Sequence, residues 1–128
     1  MSDAKGEVLI LDDRPDSLMD LFFLVSEGGY ETTGVSSEKE ALSCVSRRKP
    51  DILIDHLRNS LEEESRLLER TRILSPKTRF ILLADSASIP RDTLASPSPG
   101  QVEYMREPIQ KSELLAALGR AAPPVPPP

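Results

Sequence analysis

Short apolar runs that alternate with longer amphipathic segments constrain the fold of this chain more than any other feature. The runs are too short for helices and have the length of buried strands. The segments between them carry apolar residues at helical spacing, as at Leu18, Leu21 and Val25. This alternation predicts an α/β fold with a five-stranded parallel sheet and helices on both faces. The predicted strands are Val8–Leu11, Tyr30–Val35, Asp51–Asp55, Phe80–Ala84 and Val102–Met105.

Local signals predict where the helices begin and end. The first helix follows Pro15 and stops at Gly28–Gly29, because glycine is common just beyond a helix. Ser37 and Glu40 form a capping-box pattern at the start of the second helix. The remaining helices are predicted within Leu61–Leu74, around Arg91–Ala95, and over Lys111–Leu118 with Gly119 closing it.

Composition limits the classes of function. The 128 residues suit one domain, with residues 1–5 as an extension, 6–121 as the domain and 122–128 as a flexible proline-rich tail. A proline-rich ligand for an SH3-like partner is the alternative for the tail. The net charge of −5 argues against nucleic-acid binding by this chain alone. Cys44 is the single cysteine, so an internal disulfide is excluded and a small buried residue is expected.

The cellular location is predicted from the lack of a transmembrane segment and of a signal peptide in the sequence. No apolar run approaches the roughly 20 residues needed for a transmembrane helix. The start, MSDAKGE, carries no signal-peptide pattern. We therefore expect a cytoplasmic protein without a membrane span.

Four segments resemble the receiver domains of two-component response regulators, and the resemblance covers nearly all of residues 6–121. The segments are VLILDDRPDSL, KPDILIDHLRNS, TRFILLADSAS and VEYMREPIQKSELLAAL. The resemblance implies a doubly wound, flavodoxin/CheY-like sheet with strand order 2-1-3-4-5. It also implies a cis peptide bond before Pro108.

Receivers phosphorylate themselves on an aspartate that ends the third strand, and the resemblance assigns the parts of that site. An acidic pair holds Mg²⁺, a Ser or Thr follows the fourth strand, and a Lys precedes a proline. Asp12 and Asp13 match the acidic pair and could hold a cation. The acceptor position matches His56 without a gap, or Asp55 if the strand is one residue shorter; we favour His56. Side chains alternate along a strand, so only one of these two points into the site.

The remaining positions depart from the receiver pattern. The Ser/Thr position is Ala84, and the Lys position before Pro108 is Glu107. Tyr104 matches the aromatic residue that many receivers rotate on activation, but its hydroxyl partner is missing. A glycine of the acceptor loop is replaced by Glu64. The base His56 would therefore face the acid Glu107. Either the charges of the usual pair of acid and lysine have been exchanged, or the two substitutions arose independently after the original function was lost.

These departures predict a degenerate receiver that is not an enzyme and needs no cofactor. We expect a protein-interaction module that uses the last helix with the fourth and fifth strands. The alternatives are a working receiver phosphorylated on Asp55 by a histidine kinase, and a ligand or pH sensor that uses His56. Asp12 and Asp13 could hold Mg²⁺, and together with His56 they could form a zinc site. The partner and the oligomeric state are not readable from the sequence.

Overall fold

A computed structural model of the chain describes residues 5–56, 61–84 and 102–121, with only the backbone described at residues 61–64. Its strands form one parallel sheet in the order β2-β1-β3-β4-β5. The predicted fold class and strand order are confirmed. The strands are β1 (Glu7–Leu11), β2 (Glu31–Val35), β3 (Ile52–His56), β4 (Arg79–Ala84) and β5 (Val102–Arg106). The helices are α1 (Pro15–Glu27), α2 (Glu38–Arg48), α3 (Leu61–Leu74) and α4 (Lys111–Ala121).

Both faces of the sheet are buried because the strand side chains alternate between two apolar layers. On one face Ile10, Ile54 and Leu83 pack under α1 and α4, which contribute residues such as Leu114. On the other face Leu53 and its neighbours pack under α2 and α3. The continuous aliphatic runs of β1, β3 and β4 are therefore explained by burial on both sides.

Capping fixes the ends of α2. The Ser37 side chain accepts a hydrogen bond from the Glu40 backbone N–H, so the predicted cap is confirmed. The other end adopts a left-handed conformation at Lys49, with φ of 48°. The Lys49 ammonium donates to the Leu74 carbonyl at 2.9 Å, which ties this end to α3. Nothing in the sequence predicts a lysine at such a position.

Several predicted boundaries differ from the observed ones, among them the end of the last helix and the end of the third strand. The last helix does not close at Gly119 but continues to Ala121. Leu118 is fully buried and Ala121 packs against the same apolar layer, which offsets the roughly 1 kcal/mol cost of glycine in a helix. The third strand runs to His56 instead of ending at Asp55, because His56 pairs in register with Leu83.

Two further expectations are confirmed, and others concern residues that the structure does not describe. The Glu107–Pro108 peptide bond is cis, and Cys44 is a buried free thiol, as predicted. The predicted helix at Arg91–Ala95, the proline-rich tail and the Glu64 side chain lie outside the described residues. Within residues 5–56, 61–84 and 102–121, no helix is long and apolar enough to cross a membrane.

Candidate functional site

Asp12 lies directly after β1, at the carboxyl edge of the sheet. It is 1% exposed, and its backbone N–H donates to the Val35 carbonyl at the end of β2. Its carboxylate accepts from the Arg14 backbone N–H at 3.0 Å and from the Ser17 hydroxyl at 2.5 Å. These donors compensate the burial of a charged group, which would otherwise be costly. The Asp12 carboxyl group is thus held in place at the base of the site by two hydrogen bonds.

His56 is the last residue of β3 and reaches across the carboxyl edge of the sheet. Its Nδ1 lies 3.1 Å from Asp12 Oδ2 and 3.2 Å from Ser17 Oγ. Its Nε2 contacts the Glu107 carboxylate on the turn between β5 and α4. The imidazole, which is 11% exposed, therefore lies between two carboxylates.

Asp55 does not join this cluster. It precedes His56 on β3, so its side chain points to the opposite face, where α2 and α3 pack. It is 3% exposed and pairs in register with Leu11 and Leu82. Its Oδ2 has no hydrogen-bond partner in the part of the chain that the structure describes. Of the two candidate acceptor residues, the structure thus brings only His56 to Asp12 and Glu107.

The positions expected to carry the hydroxyl and the lysine lie at the end of β4 and directly after β5. Ala84 ends β4 and is fully buried, and its carbonyl accepts from the Glu107 N–H at 2.8 Å. This bond holds the turn carrying Glu107 and Pro108 against the end of β4. Tyr104 is half-buried in β5 and packs on the layer formed with α2 and α3. These two positions carry a methyl group and a carboxylate, whereas the resemblance implies a hydroxyl and an ammonium there.

The described residues do not fit a magnesium site. Mg²⁺ requires near-octahedral oxygen ligands. Asp13 is exposed, both Asp12 oxygens already accept hydrogen bonds, and His56 offers nitrogen. Among these residues no group of three His, Cys, Asp or Glu side chains is placed to hold a metal ion. The same finding gives no support to a zinc site built from Asp12, Asp13 and His56.

The sequence analysis missed Ser17. Its hydroxyl donates to Asp12 and lies beside His56, so it joins both residues from the first turns of α1. Its position shortly after the acidic pair was the available signal. The helical turn that brings it back over Asp12 could only be seen once the start of α1 at Pro15 was fixed.

No protein-family model matches the chain. It is similar to the transcriptional regulatory protein GlrR of Escherichia coli, with 28% identity over 121 residues. That match covers 94% of this chain but 27% of GlrR. The chain therefore spans about a quarter of the length of the first curated relatives it matches.

Solved structures match over nearly the whole chain. A response regulator receiver domain protein from Clostridium thermocellum has a TM-score of 0.76 at 22% identity, covering 91% of this chain and 93% of that one. The chain has the fold of a response-regulator receiver domain. A receiver domain of an HD domain-containing protein from Pseudomonas fluorescens has a TM-score of 0.74 at 26% identity, covering 90% and 92%. In sequence and in fold the chain is thus similar to receiver domains of response regulators.

Proposed function

We propose that this receiver domain acts in signal transduction as a protein-interaction module that does not depend on phosphorylation. The observation that carries the proposal is the position of His56. It occupies the acceptor end of β3 and contacts both Asp12 and Glu107. An imidazole there supplies no carboxylate to accept phosphate, and the space between the two acids is filled.

Electrostatics argue in the same direction. A phosphoryl group entering this site would meet the buried Asp12 carboxylate and the Glu107 carboxylate. Ala84 offers no hydroxyl to the developing negative charge. Such like-charge contacts cost on the order of a few kcal/mol at a partly desolvated site. The receiver reaction, which depends on positively charged and hydrogen-bonding groups, therefore has little to stabilise it here.

The surface of α4 with β4 and β5 is our proposed partner-binding face. The Arg120 guanidinium donates two hydrogen bonds of 3.0 Å to the Glu103 carboxylate, which joins α4 to β5. This pairing with Glu103 raises the pKa of Arg120. We further propose that the protein is cytoplasmic, has no enzymatic activity of its own and requires no cofactor.

Reconstruction of the site tests the proposal. The variant carrying His56→Asp, Ala84→Thr and Glu107→Lys restores the acceptor, the hydroxyl and the lysine, and Asp12 and Asp13 are already present. After incubation with acetyl phosphate and Mg²⁺, we expect a phosphate adduct in the intact mass of this variant and none in the unmodified chain. The single variant Ala84→Thr is the control and should stay unlabelled. A phosphate adduct on the unmodified chain as abundant as that on the reconstructed variant would contradict the proposal.

A further inference from the structure

A cleft of about 430 Å³ opens beside His56, between α1 and the turn that joins β5 to α4. Its volume lies in the range of small-molecule sites, about 300–1,000 Å³. The apolar part of its wall comes from both sides of the opening. Leu21 and Leu83 are buried in the layer beneath, Leu24 and Ile109 are half-buried, and Pro108 forms the far side.

Charged groups surround the apolar part of the cleft. Asp16 and Asp20 project from α1, and Glu107 projects from the opposite turn. The lining cations among the described residues are Arg14 and, when its imidazole is protonated, His56. Among the lining residues that the structure describes, carboxylates thus outnumber cations in either protonation state of His56. An anionic ligand would meet an unfavourable field here, whereas a cation would meet a favourable one.

We infer that this cleft binds a small organic cation, namely an amine that carries an apolar group. The apolar part would lie against Leu24, Pro108 and Ile109, and the ammonium would lie among Asp16, Asp20 and Glu107. A bare metal ion would leave the apolar wall in contact with water, so the cleft favours an amphipathic ligand. This inference goes beyond the proposed interaction function and does not depend on whether the chain accepts phosphate.

Glu107 also connects the cleft to the cluster of Asp12 and His56. Glu107 lines the cleft and contacts His56, which in turn lies 3.1 Å from Asp12. An ammonium group would compete with the imidazole for the Glu107 carboxylate. Binding would therefore alter the contact between β3 and the turn before α4. This turn joins β5 to α4, two elements of the proposed partner-binding face.

To test the inference, the ¹⁵N-labelled chain is titrated with phenethylamine and the chemical shifts of its backbone amides are measured. Phenylethanol and phenylpropionate provide the matched neutral and anionic probes. We expect saturable shifts at Leu24 and Ile109, with the amine binding at least about tenfold more tightly than either analogue. The same shifts with all three probes, or shifts confined to other residues, would overturn the inference.

Charge variants separate a specific site from general attraction to an acidic protein. Asp16→Asn combined with Asp20→Asn should weaken amine binding about fivefold, the effect expected for two partly exposed charge contacts. Glu38→Gln combined with Glu69→Gln removes the same number of charges from α2 and α3, on the other side of the sheet. This control variant should bind phenethylamine with an affinity within about twofold of that of the unmodified chain. Equal losses in the two double variants would overturn the inference. Thermal unfolding of each variant verifies that the fold is intact.

Discussion

The contact between His56 and Glu107 makes a quantitative prediction about stability. The imidazole is 11% exposed and the Glu107 carboxylate is 38% exposed, so water screens the pair only in part. Exposed ion pairs contribute about 0.2–1 kcal/mol, and hydrogen bonds to charged groups in less exposed sites about 1.5–3 kcal/mol. We therefore expect a coupling free energy near 1 kcal/mol between the two side chains, discounted for the exposure of Glu107.

A double-mutant cycle measures this coupling directly. The cycle uses His56→Ala, Glu107→Ala and the double variant, with the free energy of unfolding taken from urea titrations at one fixed pH. His56→Ala should be the more destabilising single change, because it also removes the contact of the imidazole with Asp12. A loss of 1 kcal/mol corresponds to roughly 3–6 °C in the unfolding midpoint of a domain of this size.

The chain offers a matched control pair. Lys111 and Glu27 form an ion pair of 3.2 Å, but their side chains are 59% and 65% exposed. Solvent screening should hold the coupling of this pair below about 0.5 kcal/mol. If the coupling between His56 and Glu107 were no larger than that of the control pair, the argument that the site is built around the imidazole would be refuted.

Three further predictions concern the rest of the domain. Thr78 is buried and donates to the Pro50 carbonyl at 2.6 Å, so Thr78→Val should lower the free energy of unfolding by about 1–3 kcal/mol in urea titrations. An unchanged value would contradict that bond. Gly119 lies inside α4 with open space around it, so Gly119→Ala should raise the free energy of unfolding by about 0.5–1 kcal/mol; a loss would show that α4 ends earlier. Burial raises the pKa of Tyr30 above its ordinary value of 10.0. The unfolded chain therefore ionises first, and the stability from neutral Tyr30 is present below pH 10.0 and lost as pH rises above it. Tyr30→Phe should flatten this decline, and an identical decline in both proteins would refute the assignment.

The sequence predicted the fold well because its strongest signals are local. The aliphatic runs placed every strand within about one residue of its observed bounds, since burial on both faces leaves few polar positions inside a strand. The Ser37 cap was predictable for the same reason, because the pattern and the bond lie within one turn. Gly119 misled the prediction because packing of the helix end outweighs the local preference of glycine.

The candidate site was less predictable because it depends on contacts between distant segments. The family pattern favoured His56 over Asp55 without excluding Asp55. The pairing of β3 with β1, in which Asp55 lies opposite Leu11, brings His56 beside Asp12, the residue that follows Leu11. The role of Ser17 required the turn of α1 over the end of β1. The cleft beside Glu107 arises from α1 and the turn before α4, and no single segment of the sequence indicates it.

The most direct test of the central claim is the intact mass of the unmodified chain after incubation with acetyl phosphate and Mg²⁺, measured beside Asp55→Asn. An ordinary receiver domain treated in parallel establishes that the conditions allow labelling. Our account predicts that the ordinary receiver acquires phosphate whereas neither form of this chain does. A phosphate adduct that is present in the unmodified chain and absent from Asp55→Asn would contradict the account and identify Asp55 as a working acceptor.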